Sequence, residues 1–290
     1  MTPAAAAPAQ VVRVAGPTAS VRVGGREVEA RLAPRLPGRP LVAGDRVELD
    51  DADGWSVTRI LPRSSRLDRA DGPGRRPRPL VANADLLIVV AAVVRPPLRP
   101  RLIDRYLVAA WVGHLDAAIA VTKADLPHDA AALDEVVGRY RDIGYPVLVG
   151  ASHDPSMHEA LRRLIDGRVA ILAGHSGVGK STLTAALTGV ERAVGAVSEK
   201  AGTGRHTTTD PRLIPLPGPG AVVDTAGVRT FHLPRIDREA LEAAFPEIAR
   251  LAPECRFRGC AHDGDAGCAV AGRVSEERLD SYRRMLADLR

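Results

Sequence analysis

The residues in this 290-residue chain whose types and spacing most plainly suggest chemistry are Gly174-His175-Ser176-Gly177-Val178-Gly179-Lys180-Ser181, with Thr182 next. The apolar stretch 168–173 predicts a short buried strand before them, and 182–187 predicts a helix start after them. Strand, glycine loop, Lys-Ser and helix form a phosphate-binding loop, in which successive backbone N–H groups and a helix N-terminus converge on one anion. Lys180 would then reach the β- and γ-phosphates, and Ser181 would offer its hydroxyl to Mg2+. The competing reading is a glycine-rich turn that binds nothing, and the strand-to-helix setting disfavours it.

Thr122-Lys123-Ala124-Asp125 stand at the carboxyl end of a strand predicted over 117–121. An aspartate there accepts hydrogen bonds from the N1–H and exocyclic amine of guanine, which adenine does not offer, while Lys123 lies along the base. Alone, the tetrapeptide reads equally well as a turn opening a helix. With a phosphate loop in the same sheet it reads as a guanine site. Ala151-Ser152, ending a strand at 146–149, are further candidates for a backbone contact to the base. The polar stretch 198–209 has the composition of a loop, and Thr208 within it is expected to ligate Mg2+ and sense the γ-phosphate. Asp224-Thr225-Ala226-Gly227 follow a strand at 221–223, so Asp224 would hold Mg2+ through water and the Gly227 N–H would meet the γ-phosphate. The next residue, Val228, cannot orient an attacking water as a glutamine would. Slow intrinsic hydrolysis is therefore expected, and His206 is taken as the hypothesis for a substitute catalytic group.

The three cysteines, Cys255, Cys260 and Cys268, fall within fourteen residues. An odd cluster of this kind points to metal rather than disulfides, and His262 completes a closed set of four for structural zinc. The bland alternative is three buried thiols beside an unrelated histidine.

These residues need elements to position them. Short alternating runs at 11–14, 21–23, 46–49 and 55–60, separated by Gly, Pro and Asp, predict a small OB-like β-barrel. A Pro/Gly/Arg linker at 70–80 leads into buried strands at 86–94 and 117–121. Helices are predicted over 101–113, 129–142 and 157–165. This alternation predicts a parallel sheet with helices on both faces and ligands beyond the strands' carboxyl ends. A terminal amphipathic helix is expected over 273–290, with Leu279, Tyr282, Leu286 and Leu289 on one side.

Net charge is +5, and residues 1–80 alone account for it; Arg59, Arg63, Arg66, Arg69, Arg75, Arg76 and Arg78 crowd one stretch. That run reads as a solvated face or as a contact to a phosphate backbone. Of the 40 basic residues only Lys123, Lys180 and Lys200 are lysine, two of them inside the nucleotide motifs. No apolar run is long enough to cross a membrane, and residues 1–10 read as a flexible tail rather than a secretion signal.

The motif order is inverted, since the guanine motif precedes the phosphate loop. Loops at one edge of a sheet keep their geometry when the chain is opened elsewhere. This order, with a barrel before it and a Cys/His cluster after it, resembles the circularly permuted RsgA (YjeQ) family of small-ribosomal-subunit-dependent GTPases. The resemblance runs over 11–290. It is carried by residues 174–181, by Gly204-Arg205-His206-Thr207-Thr208-Thr209, by Asp224-Thr225-Ala226-Gly227 and by Cys255-x4-Cys260-x-His262-x5-Cys268. The family more often has Asn at 122 and Pro at 226.

The resemblance implies an α/β fold with an OB-like barrel at 11–66, a circularly permuted P-loop GTPase domain at 67–233 and a helical zinc-binding domain at 234–290. It implies a cytoplasmic, monomeric enzyme that hydrolyses GTP to GDP and phosphate when stimulated by the ribosome, with Mg2+ bound alongside GTP and one structural zinc. Such an enzyme acts in late maturation of the small ribosomal subunit, binds rRNA and promotes release of other assembly factors. Two rivals remain open. One is an rRNA clamp whose nucleotide is structural; the other is a kinase using the same phosphate loop, against which Thr122 to Asp125 argue.

Overall fold

Small apolar residues alternating with polar ones curl the first part of the chain into a closed barrel. In the computed structural model, strands β1 (Ala9–Ala15), β2 (Thr18–Val23), β3 (Arg26–Leu32), β4 (Arg46–Asp50) and β5 (Ser56–Ile60) run in the order β1-β2-β3-β5-β4, with β4 closing on β1. The structure describes residues 9–33, 36, 40–69, 78–190, 211–225, 236–264 and 266–289. Ala9, Val11, Ala19, Val21, Ala30, Val47 and Val57 fill the barrel, and side chains this small suit so narrow an interior. Strand β3 was not expected from the sequence, because charged residues outnumber apolar ones in it. Its signal is the preceding Gly24-Gly25, whose φ angles of 56° and 80° are those of a hairpin turn.

The barrel is joined firmly to the segment that leads into the sheet. Asp45, fully buried, takes a two-pronged ion pair from Arg63 at 2.7 and 2.8 Å. Asn83 Nδ2 donates to the Gly44 carbonyl at 3.0 Å. A Cβ on Gly44 would sit 1.9 Å from the Ala82 carbonyl oxygen, so only glycine allows that approach.

A two-stranded ribbon, β6 (Arg66–Arg69) with β7 (Arg78–Ala82), leads into a six-stranded sheet. Its elements are β8 (Leu86–Ala92), α1 (Pro100–Val112), β9 (Asp116–Thr122), α2 (Ala130–Ile143), β10 (Val147–Val149), α3 (Pro155–Ile165), β11 (Val169–Ala173), α4 (Lys180–Thr188), β12 (Arg212–Pro215) and β13 (Ala221–Asp224). The strand order is β10-β9-β8-β11-β13-β12, parallel except for the antiparallel edge strand β12. Alternate residues of β8 feed two apolar layers, which is why its sequence is apolar throughout. Leu87 and Val89 pack under α1 and α2; Leu86, Ile88 and Val90 pack under α3 and α4.

The last segment folds as α5 (Arg238–Ala243), α6 (Pro246–Leu251) and α7 (Glu276–Asp288) around Phe245, Leu279 and Tyr282, with Val108 of α1 joining that core. Arg278 of α7 is held at 2.5 Å by Asp104 of α1 and at 2.6 Å by Glu247 of α6. Its guanidinium also lies 4.3 Å from the Phe245 ring centroid. Tyr140 of α2 donates to the same Asp104 oxygen at 2.6 Å.

Candidate nucleotide site and metal centre

Three loops meet at the carboxyl ends of the parallel strands. The first, 174–179, joins β11 to α4. Gly174 has φ 153°, and a Cβ there would lie 2.0 Å from the Val90 carbonyl oxygen. Gly177 and Gly179 are also at positive φ, so the loop folds back tightly enough to open the N-terminus of α4. Lys180, the first residue of that helix, donates to the carbonyls of Gly174 and His175 at 2.8 and 2.7 Å. Burial lowers its pKa, and the nearby Asp224 carboxylate opposes that shift.

The second loop leaves β9 at Thr122, which is completely buried. Its hydroxyl lies 2.6 Å from the Val178 carbonyl of the phosphate loop and 3.1 Å from that of Ala91 at the end of β8. Its side chain therefore links the 122–125 loop to the 174–179 loop. Lys123 is at φ 60° and its ammonium donates to the Arg95 carbonyl, while Asp125 is solvent-exposed. The third loop follows β10. Ala124 N–H donates to the Gly150 carbonyl at 3.2 Å, and a Cβ on Gly179 would be 3.0 Å from that of Ser152. The structure thus brings residues 122–125, 151–152 and 174–182 together at one end of the sheet.

Asp224 ends β13, beside β11 and close enough to Lys180 to act on its charge. Thr208, His206 and Gly227 lie outside the described residues, as do Ala226 and Val228. Sequence reading missed Tyr106 of α1, whose hydroxyl the Gly174 N–H reaches and whose pKa burial raises. It also missed Arg95. Neither has a local signal, since Tyr106 lies 68 residues before Gly174 and Arg95 lies 28 residues before Lys123.

The cysteine cluster closes in space as the spacing suggested. The ligand atoms of Cys255, Cys260, His262 and Cys268 all lie within 4.8 Å of one another. His262 Nδ1 is 3.7 Å from both Cys255 Sγ and Cys268 Sγ. A tetrahedral zinc with ordinary bond lengths sets sulfur and nitrogen about 3.6 Å apart, so the four residues fit that ion. The N–H groups of Ala269 and Ala271 point at Cys255 Sγ and Cys268 Sγ, each at 3.3 Å, as suits thiolates. Burial lowers the His262 pKa against the pull of Glu242, which favours the neutral imidazole a metal requires. Glu242 faces the ring from behind, 3.5 Å from Nε2, and Arg283 fixes the backbone by donating to the His262 carbonyl at 3.0 Å.

A glycine loop between strand and helix, the Thr-Lys-Ala-Asp loop and a strand-end aspartate on this sheet, with the Thr-Lys-Ala-Asp loop first in the chain, define a circularly permuted P-loop protein. The RsgA GTPase family model matches residues 60–234, and the chain belongs to that family. It is a GTPase, a hydrolase acting on GTP. It is 41% identical over 276 residues to the small ribosomal subunit biogenesis GTPase RsgA of Ectopseudomonas mendocina (strain ymp), covering 91% of this chain and 79% of that one. The Azotobacter vinelandii protein of the same name is 40% identical over 275 residues, with the same shares covered. Among solved structures, YjeQ from Thermotoga maritima superposes with a TM-score of 0.76 at 27% identity, covering 97% of this chain and 98% of that one. YloQ, described as a circularly permuted GTPase, shares the fold with a TM-score of 0.75 at 23% identity, covering 98% and 95%. No described helix is long and apolar enough to cross a membrane.

Proposed function

We propose that this GTPase acts in late maturation of the small ribosomal subunit, hydrolysing GTP when it meets that subunit and promoting release of other assembly factors. The observation that carries the site assignment is the meeting of residues 122–125, 151–152 and 174–182 at one sheet end, braced by the Thr122 bond to Val178. The partner follows from the relatives, which are named as small-subunit biogenesis GTPases.

In this reading the backbone N–H groups of 174–179 cradle the phosphates, Lys180 offsets their charge, and Asp125 selects guanine by accepting from its two N–H positions. Ser181, Thr208 and Asp224 would hold Mg2+, whose charge stabilises the β- and γ-oxygens. The Gly227 N–H meets the γ-phosphate, and His206 orients water or takes its proton, since Val228 has no side chain for that task. Barrel and Cys3His segment bind rRNA, with one zinc holding the latter in shape. The protein acts as a monomer in the cytoplasm.

The test is GTP turnover by the purified full-length protein with and without small ribosomal subunits. We expect low intrinsic turnover, strong stimulation, and loss of stimulation in His206→Ala with GTP affinity retained. Unchanged turnover in the presence of subunits would mean an RNA clamp with a structural nucleotide; full stimulation of His206→Ala would remove the histidine from the mechanism.

A further inference from the structure

Eight of the nine aromatic residues in this chain are described, and six of those are buried or half-buried. In the C-terminal segment Phe245 and Tyr282 are fully buried, yet Phe257 is 56% exposed. It sits at the tip of the loop between Cys255 and Cys260, with exposed Arg256 and Arg258 on either side. The Arg256 guanidinium lies 5.3 Å from the Phe257 ring centroid. The other exposed aromatic among the described residues, Trp111 on α1, has only Ala110 and Val112 beside it in sequence.

The loop is held at its base rather than at its tip. Arg256 N–H donates to the Gly267 carbonyl at 2.9 Å, and Gly267 leaves no room for a Cβ, which would meet Arg256 Cβ at 2.7 Å. Arg238 donates to the Cys260 carbonyl from the other side. The neighbouring carboxylate, Glu254, is taken by Arg273 at 2.6 Å, and among the described residues neither Arg256 nor Arg258 has an ion-pair partner. An exposed ring with one guanidinium 5.3 Å from its centroid and a second exposed arginine next to it in sequence, on a loop anchored at its base, matches an unstacked nucleobase beside its phosphates.

We propose that Phe257 is a stacking platform for one unpaired RNA base, with Arg256 and Arg258 on the flanking phosphates. This rests on the reading of the protein as an rRNA binder. It adds the residue, the mode and the preference for single-stranded RNA. The occupant is RNA and not an apolar protein surface, because an exposed arginine stands on each side of the ring in sequence and one guanidinium lies against it.

The experiment uses the full-length, zinc-loaded protein with three probes: purified small subunits, a 12-nucleotide oligoadenylate, and an RNA duplex of equal length. Phe257→Ala and Phe257→Leu are each expected to weaken subunit and oligoadenylate binding roughly 5- to 100-fold, with duplex binding unchanged. Leucine keeps the bulk but not the π-face, so retained affinity in that variant would overturn stacking. Phe257→Ala should leave the salt slope of oligoadenylate binding as it was, whereas Arg256→Ala and Arg258→Ala should each lower it by about 0.7. Phe257→Trp should bind as the parent does, and its added fluorescence should be quenched by oligoadenylate. Zinc content equal to the parent's in every variant excludes an unfolded loop as the cause. Weakened subunit binding with unchanged oligoadenylate affinity and no quenching would identify a protein contact and overturn the proposal. A parent protein that binds neither subunits nor RNA would instead remove the rRNA reading itself.

Discussion

At the scale of single residues, the Thr122 hydroxyl does something its place in a base-reading motif did not announce. It is buried between the carbonyls of Val178 and Ala91, so it ties the 122–125 loop to the 174–179 loop. Removing it leaves a buried carbonyl unpartnered, at about 1–3 kcal/mol. Thr122→Ala is therefore expected to weaken GTP binding and lower thermal stability together, and Thr122→Ser, which keeps the hydroxyl, to restore both. Titration with a fluorescent GTP analogue checks this; full affinity in the alanine variant would show that the tie is not needed. Gly174 was legible as part of a glycine loop. That it cannot carry a Cβ because of Val90, eighty-four residues earlier, was not.

At the scale of elements, α7 is the clearest case of a helix whose apolar stripe was readable and whose partner was not. Leu279, Tyr282 and Leu286 are buried, as their spacing requires. Arg278, on a helix that looked amphipathic in an ordinary way, is 2% exposed and sits between Asp104 and Glu247. Stranding a buried charge costs about 3–5 kcal/mol, whereas replacing both partners by apolar groups is close to neutral. Arg278→Met should lower stability to urea by about that amount, and adding Asp104→Leu should recover a large part of it, since Tyr140 keeps a bond to the Pro100 carbonyl at 3.1 Å. Additive losses would argue against a shared ion pair.

The Cys3His centre belongs to the same scale. Cys268→Ser removes a thiol that the Ala271 N–H supports and that the proposed zinc set requires. We expect loss of zinc by metal analysis and a lower unfolding temperature with GTP affinity retained, because the nucleotide loops are built on the sheet. Metal retained at one ion per chain would exclude Cys268 from the set.

At the scale of the whole molecule, the arginine run of the first eighty residues divides in a way that composition cannot predict. Arg59 pairs with Glu48 on the surface, Arg66 reaches from the surface to a nearly buried Asp68, and Arg63 is buried against Asp45. Surface pairs of this kind contribute little to stability. The buried one joins the barrel to the segment leading into the sheet. Asp45→Ala should free that joint, seen as faster proteolysis near residues 61–64 with GTP affinity unchanged; a parent-like cleavage pattern would show that Gly44 and Asn83 hold the joint alone.

The glycine loop, the Cys/His set and the five parallel strands were legible in the sequence because each rests on local spacing: glycines that turn, a lysine one residue into a helix, four metal-type side chains within fourteen residues, apolar runs of strand length; the antiparallel edge strand β12 was not. The order of those motifs alone indicated permutation. Tertiary structure decided which groups meet across long separations. It set Thr122 on Val178, Tyr106 on Gly174, Glu242 behind His262 and Arg278 on Asp104, and it left Phe257 facing outward while Phe245 and Tyr282 went inside. Those pairings depend on how helices and loops stack on one twisted sheet, and no local pattern of residues encodes that stacking.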